Sequence, residues 1–147
     1  HSLGAGVSSI AMVQLESDGW DVGEAYNFGS PRVGDGKFAA SFDALLGGRF
    51  FRVTHHMDPV PHVPPYDLWF KHVSSEAFYD GDVSDGYVLC AAAEDERCAN
   101  QYSDVLHDLI FVEDHSDYMG VKTGSDGCKN PERAAGRPPA LRRAGEL

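Results

Sequence analysis

No apolar run in this chain approaches the roughly 18 to 20 residues that a membrane-spanning helix needs. Positive charge is scarce: 12 Lys and Arg stand against 23 Asp and Glu, for a formal net charge of −11. That balance argues against nucleic acid and against strongly anionic membranes as partners. The little basic charge gathers at the end, where Lys129, Arg133, Arg137, Arg142 and Arg143 face only Glu132 and Glu146. Cysteine is rare, with Cys90, Cys98 and Cys128 alone. Cys90 and Cys98 flank a short acidic loop (Glu94, Asp95, Glu96), which suits a local disulfide; three reduced thiols in a cytosolic protein are the alternative. Cys128 is then the odd cysteine, which suggests a partner elsewhere or a reactive thiol. There is no initiator methionine and no internal repeat. A chain opening at His1 is expected to be processed or to be part of a longer one. What remains is 147 residues, 42% apolar and 11% aromatic, ordinary for one soluble globular domain.

The first 54 residues alternate in period. Residues Leu3 to Leu15 place Leu3, Val7, Ile10 and Ala11 on one helical face. Gly4 and Gly6 in its first turns are costly unless something approaches closely. A turn at Ser17 to Gly19 precedes a predicted strand from Asp21 to Phe28, which ends at Gly29-Ser30-Pro31. Asp35 is placed to cap a second helix, Lys37 to Leu46, whose inner face would carry Phe38, Phe42 and Leu45. Gly47-Gly48 stops it, and Arg49 to Thr54 has the aromatic and β-branched texture of a strand. Helix, strand, helix, strand predicts an α/β protein with a largely parallel sheet.

After Thr54 the texture changes. Residues His55 to Pro65 hold four prolines and three histidines and must be loop. Short strands are predicted at Phe70 to Val73, Ala77 to Tyr79 and Tyr87 to Leu89, and a helix from Ser103 to Val112, with His115 just beyond it. Residues 129 to 147, polar and rich in Gly, Pro and Ala, read as a disordered basic tail.

The opening His-Ser-Leu-Gly-Ala is the second half of a nucleophile elbow, G-x-S-x-G. That turn between strand and helix is sharp, so the serine's neighbours two away must be small. The helix start then aims its free N–H groups at a developing oxyanion. Alone, a serine before a helix is more often a simple N-cap. Asp58 follows the best strand, and His115 follows later. Ser, then Asp, then His is the triad order of α/β-hydrolases. Read in isolation, Asp58 before proline is a common turn residue, and His107, followed by Asp108, competes with His115.

Five segments in order resemble the fungal-type (class 3) lipase family, which also contains related feruloyl esterases. They are His1 to Ala5; Tyr26-Asn27-Phe28-Gly29-Ser30-Pro31-Arg32-Val33-Gly34; Phe51 to His55 leading to Asp58-Pro59-Val60-Pro61; Pro64-Pro65 followed by His72; and Asp114-His115 with Tyr118-Met119-Gly120. The resemblance covers residues 1 to 128. It implies the C-terminal portion of an α/β-hydrolase fold, a mostly parallel sheet flanked by helices, with the N-terminal half absent. It implies Ser2 as nucleophile, His115 as general base, Asp58 as its orienting carboxylate and the Leu3 backbone N–H as one oxyanion donor. His1 would support the elbow.

The activity so implied is secreted triacylglycerol lipase action in lipid breakdown, with feruloyl esterase or another carboxylesterase as the alternative. Neither cofactor nor metal is called for. Cys128 would pair with a cysteine in the missing half. That half would also bring sheet strands, the lid helix and the second oxyanion donor, so residues 1 to 147 alone are expected to be inactive and poorly folded. Tyr66, Trp69 and Phe70 would line an acyl or interface surface, or pack in the core. A different chemistry, zinc hydrolysis, would draw on His55, His56, Asp58 and His62, although their spacing matches no zinc signature. A third possibility is a binding module without catalysis.

Overall fold

The structure is a computed structural model that describes residues 1–73, 75–107 and 112–129. Helix α1 (Leu3–Ser17) leads to strand β1 (Ala25–Phe28), the short β2 (Gly34–Asp35), helix α2 (Gly36–Leu46) and β3 (Phe50–His55). Then come β4 (Phe70–Lys71), β5 (Glu76–Tyr79) and β6 (Val88–Cys90), with 3-10 turns between. A 3-10 segment (Ala99–His107), α3 (Val112–His115), the hairpin β7 (Asp117–Tyr118) and β8 (Val121–Lys122), and α4 (Gly124–Lys129) close the described chain. The main sheet has the order β1-β3-β5-β6. Its first three strands are parallel and β6 is antiparallel. This is an α/β fold with a mostly parallel sheet.

The Asp35 carboxylate accepts from the Lys37 and Phe38 N–H groups and so starts α2. Met12 of α1, Ala39, Phe42 and Leu46 of α2, Phe50 of β3 and Val73 form the core on that face of the sheet. Leu46, not Leu45, joins it: Leu45 is 46% exposed, because the register of α2 turns it outward.

The inward face of α1 also differs from the apolar stripe in the sequence. Leu3, Val7 and Ile10 are exposed, while Ala5, Gly6, Ser9 and Met12 are buried. Small residues win because α1 lies close to its neighbours. A Cβ at Gly6 would meet Val33 at 3.0 Å and Pro31 at 3.4 Å, and Ser9 and the Ala5 carbonyl are hydrogen-bonded by Asn27 of β1.

Other boundaries also shift: the strand expected at Phe70 to Val73 ends at Lys71, and that expected at Tyr87 to Leu89 runs Val88–Cys90. Residues 21–24 lie outside β1, since ladder pairing with β3 begins at Ala25. The helix expected from Ser103 to Val112 is a 3-10 segment that starts earlier, and residues 108–111 lie outside the described set. His115 ends α3 instead of following a helix. Lys129 closes α4; the rest of the expected tail, 130–147, lies outside the described residues.

Cys90 and Cys98 form a disulfide, and Cys128 is free and exposed. The closed loop carries Glu94, which grips Arg32 through two side-chain contacts of 2.6 and 2.9 Å. Burial opposes ionisation of Glu94, yet Arg32 and the His72 N–H hold its carboxyl below the usual range. Arg32 in turn donates to the His62 and Pro64 carbonyls, 2.6 and 3.0 Å away, and so steadies the loop that follows Asp58.

Beneath that loop, Arg52 on β3 is 1% exposed and donates to the Val73 carbonyl and to Glu76. Thr54 and the Ala99 N–H donate to the other Glu76 oxygen. His72, whose imidazole burial pushes well toward the neutral form, donates to the Pro61 carbonyl. A polar cluster therefore joins β3, β5 and the proline-rich loop.

Candidate active site

Ser2 stands between the end of β1 and α1. Its N–H donates to the Phe28 carbonyl at 3.0 Å, and its backbone has φ 58° and ψ −135°. A non-glycine residue in that region carries strain of about 1–3 kcal/mol, which only the surrounding structure can impose. The Ser2 side chain does not cap α1. Its Oγ lies instead 2.9 Å from His115 Nε2. Leu3, the first residue of α1, belongs to the turn whose N–H groups a helix leaves without internal acceptors.

Asp58 follows the turn after β3 and is 1% exposed. Its carboxylate accepts from the Val60 N–H at 2.8 Å and lies 2.9 and 3.0 Å from His115 Nδ1. With Nδ1–H directed at the carboxylate, Nε2 is left to accept the Ser2 hydroxyl proton. The three side chains thus form one hydrogen-bonded line between residues 113 positions apart in the chain.

Four further residues build this line, and their roles are not legible from periodicity. Tyr118 donates its hydroxyl to Asp58 Oδ2 at 2.5 Å. Burial, then the Asp58 charge, pushes the phenol well above its usual range, so it stays a donor. Gly29 has φ +55°, and a Cβ there would stand 2.8 to 3.2 Å from the Tyr118 hydroxyl, Asp58 Oδ2 and His115 Nδ1. The Gly-Ser-Pro turn signalled a bend; that its first residue must leave room for three site atoms is a tertiary fact. His1 Nε2 donates to the His115 carbonyl at 2.8 Å. Asp114 meets His56 at 2.9 Å.

Removing the Tyr118 hydroxyl leaves a buried carboxylate short of one charge-assisted hydrogen bond, a loss of about 1.5–3 kcal/mol. Tyr118→Phe is therefore expected to lower kcat on a soluble ester about tenfold, using roughly half of that energy, since 1.4 kcal/mol is a factor of ten. Unchanged kcat in a folded variant would remove Tyr118 from the site.

The four candidate zinc ligands diverge. His55 stacks on Tyr79 with centroids 4.4 Å apart and donates to the Asp114 carbonyl. His56 faces the Asp114 carboxylate, and Asp58 faces His115. His62 is buried beside Arg32, and burial pulls its imidazole toward the neutral form. Among the described residues no three His, Cys, Asp or Glu side chains converge on one point. Tyr66 and Trp69 are exposed, so they are not core; Phe70 is half-buried. No helix among the described residues is long and apolar enough to cross a membrane.

A serine in a strained backbone conformation at the start of a helix, beside a mostly parallel sheet and ahead of an aspartate and a histidine, fits the α/β-hydrolase fold. Residues 1–68 match the model of the family described as lipase (class 3). The chain is 43% identical over 81 residues to secreted mono- and diacylglycerol lipase 1 of Fusarium solani, covering 55% of this chain and 24% of that protein. It is 31% identical over 134 residues to secreted mono- and diacylglycerol lipase LIP4 of Malassezia restricta, covering 89% of this chain and 43% of that one. Among solved structures, lipase II of Rhizopus niveus superposes with a TM-score of 0.72 at 28% identity, over 85% of this chain and 47% of that one. The family model, these relatives and this structure agree in making the chain similar to fungal class 3 lipases. The chain spans less than half the length of the curated relatives it matches.

Proposed function

We propose that the intact protein is a secreted serine ester hydrolase acting on acylglycerols, with Ser2 as nucleophile, His115 as general base and Asp58 as the carboxylate that orients it. The observation that carries this reading is the unbroken line from Ser2 Oγ through both ring nitrogens of His115 to Asp58, each step 2.9 Å. Ser2 Oγ attacks the ester carbonyl carbon as its proton passes to His115 Nε2. The new negative charge sits on the carbonyl oxygen, next to the Leu3 N–H at the positive end of α1. Collapse breaks the bond to the alcohol, which leaves with the proton from His115. Water then attacks the acyl-serine, giving its proton to His115, and the acid departs as that proton returns to Ser2.

The curated relatives are named for mono- and diacylglycerols and as secreted proteins. We therefore take partial glycerides as the substrate class, in preference to the triacylglycerol expected from the sequence, and an extracellular location that agrees with the Cys90–Cys98 disulfide. Residues 1–128 form the nucleophile-to-histidine portion of the domain. A second oxyanion donor, the lid, and a cysteine partner for the exposed Cys128 belong to the upstream part of the longer protein.

The test uses the intact protein and a short-chain nitrophenyl ester. A phosphonate ester is expected to abolish hydrolysis with one label on Ser2, and EDTA is expected to leave the rate unchanged. Loss of activity with the chelator but not the phosphonate would favour the histidine-rich turn after β3 instead. Comparing diolein, triolein and methyl ferulate decides the substrate: fastest turnover of methyl ferulate would make the protein a feruloyl esterase.

A further inference from the structure

We infer that Asp114 is a positioning residue: through His56 it locks the turn carrying His115 onto the turn carrying Asp58. The inference rests on the catalytic reading above. His115 ends a helix of only four residues, α3, which by itself has too few internal hydrogen bonds to hold a direction. Its imidazole must nevertheless meet two partners at once.

Asp114, the residue before it, supplies an anchor that does not involve the imidazole. One carboxylate oxygen, Oδ2, accepts from His56 Nδ1 at 2.9 Å and from the Met57 N–H at 3.3 Å. The Asp114 carbonyl accepts from His55 Nδ1 at 3.1 Å. His55, His56 and Met57 are the three residues immediately before Asp58. The two turns are therefore joined three times beside the His115–Asp58 contact, over a separation of 57 to 59 residues.

The anchored turn is itself held in an uncommon shape. His56 has φ 38°, a positive value that few non-glycine residues take. Its N–H donates to the Tyr79 carbonyl at the end of β5 at 2.9 Å, and its ring lies edge-on to Tyr102 at 5.4 Å. The sheet thus presets His56, and His56 presets Asp114. On the opposite side the His115 carbonyl is held by His1 Nε2 at 2.8 Å and Thr123 Oγ1 at 3.3 Å. The base is gripped through its main chain from both sides. Asp114 is the grip that refers it to Asp58.

The Asp114 hydrogen bonds go to His55, His56 and Met57 and not to Ser2, so its loss should change the chemical step and leave substrate binding alone. In the intact protein, Asp114→Ala is expected to lower kcat for a soluble nitrophenyl ester about tenfold, with KM within twofold. Asp114→Asn keeps an oxygen able to accept both N–H groups and should retain at least a third of wild-type kcat. His56→Ala should lower kcat several-fold, and His56→Ala/Asp114→Ala should be no slower than Asp114→Ala within twofold, because both substitutions break one bridge.

Asp114→Ala at wild-type kcat, Asp114→Asn as slow as Asp114→Ala, or multiplicative losses in the double variant would each overturn the inference. Should Asp114→Ala fail to fold, His56→Ala carries the test alone: a several-fold loss in kcat at constant KM supports the bridge, and unchanged kcat refutes it. Ser2→Ala separates the two levels. If wild-type protein is no faster than Ser2→Ala, the catalytic reading falls; if wild-type is active and Asp114→Ala equals it, only the positioning role falls.

Discussion

Asp58→Asn in the intact protein is expected to lower kcat by about 10³- to 10⁴-fold while leaving KM nearly unchanged. The size follows from the tautomer. Asp58 faces His115 Nδ1 with both oxygens, at 2.9 and 3.0 Å, so Nδ1 carries the hydrogen and Nε2 is free to take the Ser2 proton. An asparagine amide can present its NH₂ to Nδ1. The ring would then be held with its hydrogen on Nε2, where it cannot act as base toward Ser2 2.9 Å away. The shape of the site would survive, because Asn is nearly isosteric with Asp. The imidazolium formed during attack would also lose its counter-charge.

Combining Asp58→Asn with Ser2→Ala tests the same idea. Under the proposed mechanism the three residues act as one unit, so the pair should be barely slower than Ser2→Ala alone. A loss below tenfold for Asp58→Asn, or independent effects in the pair, would show that Asp58 is a turn residue that happens to lie beside His115.

The second large effect is on stability. Glu76→Ala is expected to lower the unfolding free energy by about 3–5 kcal/mol, because it strands a buried charge. Arg52 and Glu76 are 1% and 3% exposed, and their contact is 3.1 Å. Glu76 also accepts from Thr54 at 2.6 Å and from the Ala99 N–H at 3.1 Å, so truncation leaves three donors unmatched. Replacing both members of the pair, as in Arg52→Met/Glu76→Leu, removes charge and partner together and should cost far less than Glu76→Ala. Urea unfolding of the three proteins, with constant slope, reads the difference. If Glu76→Ala costs under about 1 kcal/mol, water is reaching the cluster and the pair behaves as a surface one.

This second prediction has a functional side. The same cluster reaches Pro61 through His72 and His62 through Arg32, just downstream of Asp58. A softened cluster should therefore lower activity at temperatures where the protein is still folded.

Local structure was largely legible in the sequence. Asp35 reads as a cap, and its side chain does accept from Lys37 and Phe38. The β-branched and aromatic run after Gly48 is the interior strand β3, and the glycine doublet ends α2. The order Ser2, Asp58, His115 is written along the chain, as is the acidic loop between Cys90 and Cys98. These features depend on neighbours within a few residues, where propensity, capping and periodicity act.

What the chain's pattern did not contain depends on partners far away. The apolar stripe Leu3-Val7-Ile10 has helical spacing, yet it faces outward, because β1 and Pro31 come too close to α1 for anything larger than Gly6 and Ser9. Arg52 lies within a run that reads as a strand, but only Glu76, 24 positions on, makes its burial tolerable. Gly29 reads as a turn glycine, and only folding brings Tyr118, Asp58 and His115 within about 3 Å of where its side chain would be.

The sequence by itself determined the elements, their order and the chemistry of the residues available. The tertiary structure alone decided which side chains meet. A hydrogen bond between residues 57 or 113 positions apart leaves no trace in local periodicity, because the packing of distant elements against one another sets its geometry.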